Sequence, residues 1–256
     1  LDIVKAAKKS AIKTFDDLAN LVKKIISGKK LNPRSFVGNI RNKRPPYTGS
    51  AKAVEISKKY NDTGVLYYDK KIPDGFRDGG RAAQYDRWGQ AVYAEREVIT
   101  VDRAADQYLA NAIKYAKSST QGMNEEQKLK FVYRMIQEIS GDVYKSEKIS
   151  LQMAKARVGE EVLLGDIFAN GAAVCRHKSL MFKILAEEVG LNAKMVRGEM
   201  GVVGDIGGHV WNEVKLSNGK KFLVDTHNSA LINLAKPSKS ENKFLQEYWY
   251  QGERPY

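Results

Sequence analysis

Cys175 is the only cysteine among 256 residues. It lies in the stretch NGAAVCRHKSLMF, Asn170 to Phe182, where small residues give way to a helical pattern. A thiol attacks carbonyl carbon as its thiolate. The unpaired N–H groups and dipole at a helix N-terminus stabilise that anion. Gly171, Ala172 and Ala173 leave room for a substrate to approach. A free cysteine is also among the most buried residue types, so Cys175 taken alone reads as a small packing residue at a helix start. A proton partner and a group to orient it are what a thiol enzyme needs in addition.

Three histidines are available, His177, His209 and His227. His177 lies two residues beyond Cys175 on the same expected helix, and positions two apart do not face each other, so it is a poor base. His209 opens the strand pattern HVWNEVKL, and KFLVD follows after the turn SNGK. A hairpin centred on position 217 puts Asp225 across from His209, a carboxylate against an imidazole. A tight turn on Asn218-Gly219 alone shifts that register, so the pairing requires a longer loop or a bulge. Alternation puts Trp211 on the face of His209, where it can shield the pair from water. A strand histidine and a strand-end aspartate are each ordinary structural residues; the order Cys-helix, His-strand, Asp-strand is the specific feature.

The surrounding elements follow from periodicity and turn signals. Asn124 and Gln127 form an expected capping box, with Leu129, Val132, Ile136 and Ile139 as the helical stripe behind it. A helix is expected over AADQYLANAIKYAK, another from Ser150 to Leu163, and another from Cys175 to Glu188 with Gly190 closing it. NAKMVRGE and REVITVD read as strands, and Gly201 to Gly208 as a loop. IPDGFRDGGRAAQYDRWGQ reads as a long surface loop able to hold substrate. Residues 1–48 are basic, with an amphipathic helix expected to about Ile26. NKRPPYTGS reads as a linker, Ala51 to Tyr60 as a short helix and GVLYYD as a strand.

From Asn124 to Asn228 the chain resembles the transglutaminase-like branch of the papain-type cysteine enzymes. The resemblance rests on NEEQKLKFVYRMIQEI, GAAVCRHKSLMFKILAEEVGL, HVWNEV and LVD. The local pattern LGDIFANGAAVCRHKSLMFKILAEEVGLNAKMVRGE is similar to the peptidase-like domain of plant Raf-like kinases of the enhanced-disease-resistance type and of armadillo-repeat proteins. This implies an α+β fold, with the Cys-bearing helix packed on an antiparallel sheet that carries His and Asp. It implies Cys175 as nucleophile, His209 as base and then acid, and Asp225 as orienter. The Cys175 N–H would hold the oxyanion, with Asn170 and Trp211 as candidates for a further donor. No cofactor or metal is implied. Residues 1–110 have no counterpart in the resemblance, acidic calcium sites are not evident, and one cysteine excludes zinc-cysteine sites. The expected division is a basic, mostly helical extension with a Gly-rich loop over 1–95 and a transglutaminase-like domain over 96–256.

Composition narrows the partners. The chain is 43% hydrophobic and 29% charged, which describes a globular protein rather than a disordered one. No apolar run reaches the length of a membrane span. A lone cysteine allows no internal disulfide and fits a reducing compartment or a bacterial protein. The net charge of +13 suits an acidic protein or an anionic surface, met through the basic N-terminal region. The aromatic and arginine cluster of Tyr60, Tyr67, Tyr68, Tyr85, Trp88, Arg77, Arg81 and Arg87 could stack bases, but no nucleic-acid motif accompanies it. Three functions stand open: a thiol enzyme acting on protein or peptide amides, an inactive peptidase-like binding module, and a nucleic-acid binder, the last the least supported. The chain opens at Leu1, so targeting is unreadable; the expected location is cytoplasmic, or a host cell if this is a delivered bacterial effector.

Overall fold

The computed structural model describes residues 67–68, 70–85, 91–202 and 205–250. The basic helix, the linker and the Ala51–Tyr60 helix lie outside them. Of GVLYYD, Tyr67–Tyr68 form strand β1.

The described residues form an α+β fold with two sheets and six helices. Strands β2 (Arg77–Tyr85), β3 (Ala91–Thr100) and β4 (Glu161–Leu163) make the smaller sheet, in which β2 and β3 are antiparallel and β4 joins β3 in parallel. Helices α1 (Gln107–Ser119), α2 (Glu125–Ser140), α3 (Val143–Ala156), α4 (Leu164–Ala169) and α5 (Cys175–Glu188) lead into the larger sheet. That sheet runs β1, β5 (Asn192–Val202), β6 (Asp205–Lys215), β7 (Lys221–Asp225) and β8 (Ala230–Asn233), all antiparallel neighbours. Helix α6 (Lys239–Leu245) brings the chain back so that β9 (Tyr248–Tyr250) pairs with β5.

Helix α5 is the centre. Every residue from Arg176 to Ala186 is buried, because α1, α2 and α4 cover one side and β5 and β6 the other. Ser179 Oγ donates to Val210 O at 2.8 Å, and Asn212 Nδ2 donates to Ser179 O at 3.1 Å. These bonds fix how the helix sits on β6. Helix α2 starts where its capping box predicts: Gln127 N–H donates to Asn124 Oδ1 at 2.9 Å, and Asn124 N–H to Gln127 Oε1 at 3.0 Å. Gly190, at φ +87°, takes the left-handed turn that releases the chain from α5 into β5.

Three expectations change. Residues 77–85 form β2 rather than a loop; Asp78 and Arg77 have buried or paired side chains that hold the strand, Asp78 to Arg197 Nη2 at 2.8 Å and Arg77 to Glu161 at 2.6 Å. The span 150–163 is not one helix: α3 begins earlier, at the Asp142 cap, and ends at Ala156, and Glu161–Leu163 turn into β4 because they extend the small sheet beside β3. Gly201, Gly207 and Gly208 lie in strands rather than in a loop. β5 and β6 stay paired out to Val202 and Asp205, so sheet hydrogen bonding prevails over the weak strand preference of glycine.

Candidate active site

Cys175 is the first residue of α5, preceded by Val174 in an extended conformation. Helix geometry leaves its N–H without an intrahelical acceptor. Cys175 as a residue is partly exposed, while the neighbouring Ala172 and Ala173 are fully buried. The His209 side chain and the Val210 backbone both act on its thiol to favour the ionised form.

His209 lies inside β6, opposite Gly198 of β5, with 7% of its surface exposed. Its Nε2 sits 2.7 Å from Asp225 Oδ2, so Nδ1 is not engaged by that carboxylate. Ser217, Asn218 and Gly219 close the β6–β7 hairpin as a three-residue loop: Leu216 N–H donates to Lys220 O at 2.9 Å, and Gly219 sits at φ +83°. The ladder pairs Asn212 with Val224 and Lys215 with Lys221. Continuing it sets Asp225 beside Trp211, so Asp225 meets His209 diagonally rather than directly across. The pairing differs from the expected one by two positions, and an even shift keeps both side chains on one face.

Asp225 is 1% exposed and well supplied with donors. Its Oδ2 also accepts from Tyr248 OH at 2.7 Å and Asn228 Nδ2 at 2.8 Å. Its Oδ1 accepts the backbone N–H groups of His227 at 2.9 Å and Asn228 at 3.1 Å. Burial alone would raise its pKa. The hydrogen bond and charge of His209, with Tyr248 and Asn228, hold it well below the ordinary carboxylate range. For His209, burial opposes the charged ring, but Asp225 and Cys175 outweigh it and raise its pKa to about 10. For Cys175, burial pushes upward, and the neighbouring His209 brings the thiol below its ordinary value. A thiolate facing an imidazolium is the charge state these shifts favour.

Trp211 is wholly buried and lies alongside the His209 ring, centroids 6.1 Å apart and 19° from parallel. Tyr248 meets it edge-on at 5.2 Å. Asn170 caps the end of α4, and its Nδ2 donates to Asp166 O at 2.6 Å.

His177 belongs to a different set. Its Nδ1 accepts the Val174 N–H at 3.1 Å, and Nε2 faces Glu97 Oε1 at 3.2 Å. Glu97 also binds Arg176 Nη2 at 2.8 Å. Burial lowers the His177 pKa to about 4, against the pull of the Glu97 hydrogen bond, so the ring is neutral near pH 7. This buried set ties β3 to the first turn of α5. Sequence reasoning missed Glu97, Tyr248, Asn228 and Lys178. Asn228, three residues past Asp225 in DTHN, and Lys178, one turn past Cys175 on a buried helix, had a local signal. Glu97 and Tyr248 had none, because sheet packing alone brings Glu97 to His177 and Tyr248 to Asp225.

Among the described residues no helix is long and apolar enough to cross a membrane. A family model described as EDR1/CTR1/ARMC3, peptidase-like, matches residues 83–229, more than half of the chain. The match contains Cys175, His209 and Asp225 and begins upstream of the motifs that first suggested the resemblance. The chain belongs to the EDR1/CTR1/ARMC3 peptidase-like family.

Proposed function

We propose that the protein is a thiol enzyme that opens protein or peptide amides through a thioester, with Cys175 as nucleophile, His209 as proton carrier and Asp225 as the group that orients His209. The observation that supports this most is the position of His209, whose Nε2 is held 2.7 Å from Asp225 while the ring acts electrostatically on the thiol at the start of α5.

The chemistry runs in two halves. The Cys175 thiolate attacks the amide carbonyl carbon, and the carbonyl oxygen takes the negative charge. The Cys175 backbone N–H faces that charge at the helix terminus, and the second amide hydrogen of Asn170 is the candidate for another donor. The carbon–nitrogen bond breaks as the His209 imidazolium gives its proton to the leaving amine. The acyl group then rests on sulfur as a thioester. Water, or an amine, attacks that carbonyl while neutral His209 accepts its proton, and the carbon–sulfur bond breaks to return the thiolate. Water gives hydrolysis or glutamine deamidation, and an amine gives transamidation. Trp211, buried against His209, keeps solvent from the ring that carries the proton.

The test uses a glutamine-containing peptide with and without a labelled primary amine. Ammonia release, peptide cleavage and amine incorporation are followed together, with Cys175→Ala as control. Any one product that depends on Cys175 supports the reading and names the reaction. If no product depends on Cys175 across a peptide library, the triad is scaffold and the domain is a binding module.

A further inference from the structure

Lys178 is 1% exposed, yet among the described residues its ammonium makes no hydrogen bond and no ion pair. Its neighbour on the same helix shows what a buried lysine normally requires: Lys183, also buried, donates to Glu187 Oε1 and Ala193 O, each at 2.7 Å. Lys178 lies three residues after Cys175 on α5 and so on the same face. Helical side chains lean toward the N-terminus, which carries the Lys178 chain back over the turn that holds the thiol. The charges that act on it are those of Cys175, Asp225 and Glu147. Asp225 already accepts from His209, Tyr248, Asn228 and two backbone N–H groups, so it has no lone pair left for an ammonium. Glu147 is half-exposed and faces His227 Nε2 at 3.3 Å.

We propose that Lys178 is the receptor for a carboxylate on the acyl donor, next to the reacting carbonyl, so that the Cys175 site selects acidic peptides. This rests on the thiol-enzyme reading above. Helix spacing directs the ammonium toward the turn that carries the thiol, and among the described residues no protein acceptor is bonded to it. A substrate carboxylate supplies that acceptor through a charge-assisted hydrogen bond. The carboxylate comes either from an acidic side chain or from a chain end.

The test compares alkylation of the lone cysteine by iodoacetate and by iodoacetamide at one pH. In both reactions the thiolate forms a bond to the methylene carbon and iodide leaves, so the two reagents differ only in carboxylate against amide. The rate ratio of iodoacetate to iodoacetamide is expected to exceed that of N-acetylcysteine by about tenfold, the size of one charge-assisted hydrogen bond. Lys178→Met is expected to lose most of that preference and Lys178→Arg to keep part of it, with folding of both checked by thermal melting. His209 is present in all three proteins, so its charge does not account for the difference. Protection of Cys175 by N-acetylaspartic acid α-amide, whose side-chain carboxylate is free, or by N-acetylglycine then assigns the side chain or the chain end as the source. A native ratio equal to that of N-acetylcysteine overturns the inference. If iodoacetamide labelling is then fast, the thiol-enzyme reading stands without it; if labelling is slow with both reagents, that reading falls as well.

Discussion

Asp225 Oδ2 lies 2.7 Å from the OH of Tyr248, and the same oxygen lies 2.7 Å from His209 Nε2. Tyr248 comes from β9 on the far side of β5, so the last described strand of the chain reaches over the sheet to hold the carboxylate that holds the histidine.

Tyr248→Phe removes that hydroxyl and keeps the ring packed against Trp211. A buried carboxylate that loses a hydrogen-bond donor costs about 1–2 kcal/mol. The midpoint of urea unfolding should fall by that free energy divided by the slope, with the slope itself unchanged. An unchanged midpoint would mean that the bond does not form in solution.

Asp106 clamps the helical layer. Its Oδ1 accepts the Leu109 N–H at 3.0 Å as the cap of α1, and its Oδ2 accepts the Gly165 N–H at 2.6 Å from α4. A Cβ added at Gly165 would lie 2.7 Å from the Tyr108 Cβ and would strike the Asp106 carboxylate. Gly165→Ala should therefore destabilise the fold by roughly 2–4 kcal/mol through overpacking and a broken cap. Chemical denaturation measures it, and a loss under about 0.5 kcal/mol, the range of an unremarkable surface change, would contradict the contact.

Acid should weaken the fold through His177. Its pKa is pushed down to about 4 by burial, with Arg176 and Arg96 adding to the shift. In the unfolded chain a histidine titrates near about 6.5. Between those values the unfolded chain binds a proton that the folded one does not. Stability is therefore intact above about pH 6.5 and is lost as pH falls toward the folded pKa. His227 is shifted in the same direction and adds its own share. His209 acts oppositely: its raised pKa gives stability that is full below about 6.5 and fades as pH rises toward about 10. His177→Asn keeps an acceptor for the Val174 N–H but removes one titrating ring. Its stability should fall less steeply over the acid window, by on the order of 1–3 kcal/mol in total. Identical slopes in urea midpoint against pH would rule this out.

Local signals carried much of the fold. The capping box at Asn124, the limits of α5 and the strand KFLVD all stand where residue pattern puts them, because caps, apolar stripes and alternation act within a few residues. Other features depended on distant partners. Arg77–Tyr85 look like a loop in sequence and become a strand once β3 lies beside them and Asp78 meets Arg197. Glu161–Leu163 read as helix until β3 offers them an edge. The His209–Asp225 contact was legible as a shared face, but not its register. The three-residue loop at Ser217–Gly219 sets that register, and loop geometry is weakly encoded by the residues on either side.

The most direct test of the central claim is the pH dependence of Cys175 alkylation by iodoacetamide in the folded protein, beside His209→Ala and Asp225→Asn. With one cysteine in the chain, the label reports a single site. A thiolate paired with imidazolium labels quickly at about pH 6, stays level through neutral pH, and loses that acid-side reactivity in His209→Ala. Slow labelling that rises only with an inflection near about 8.5, the value of a free thiol, and that ignores His209→Ala would contradict the account.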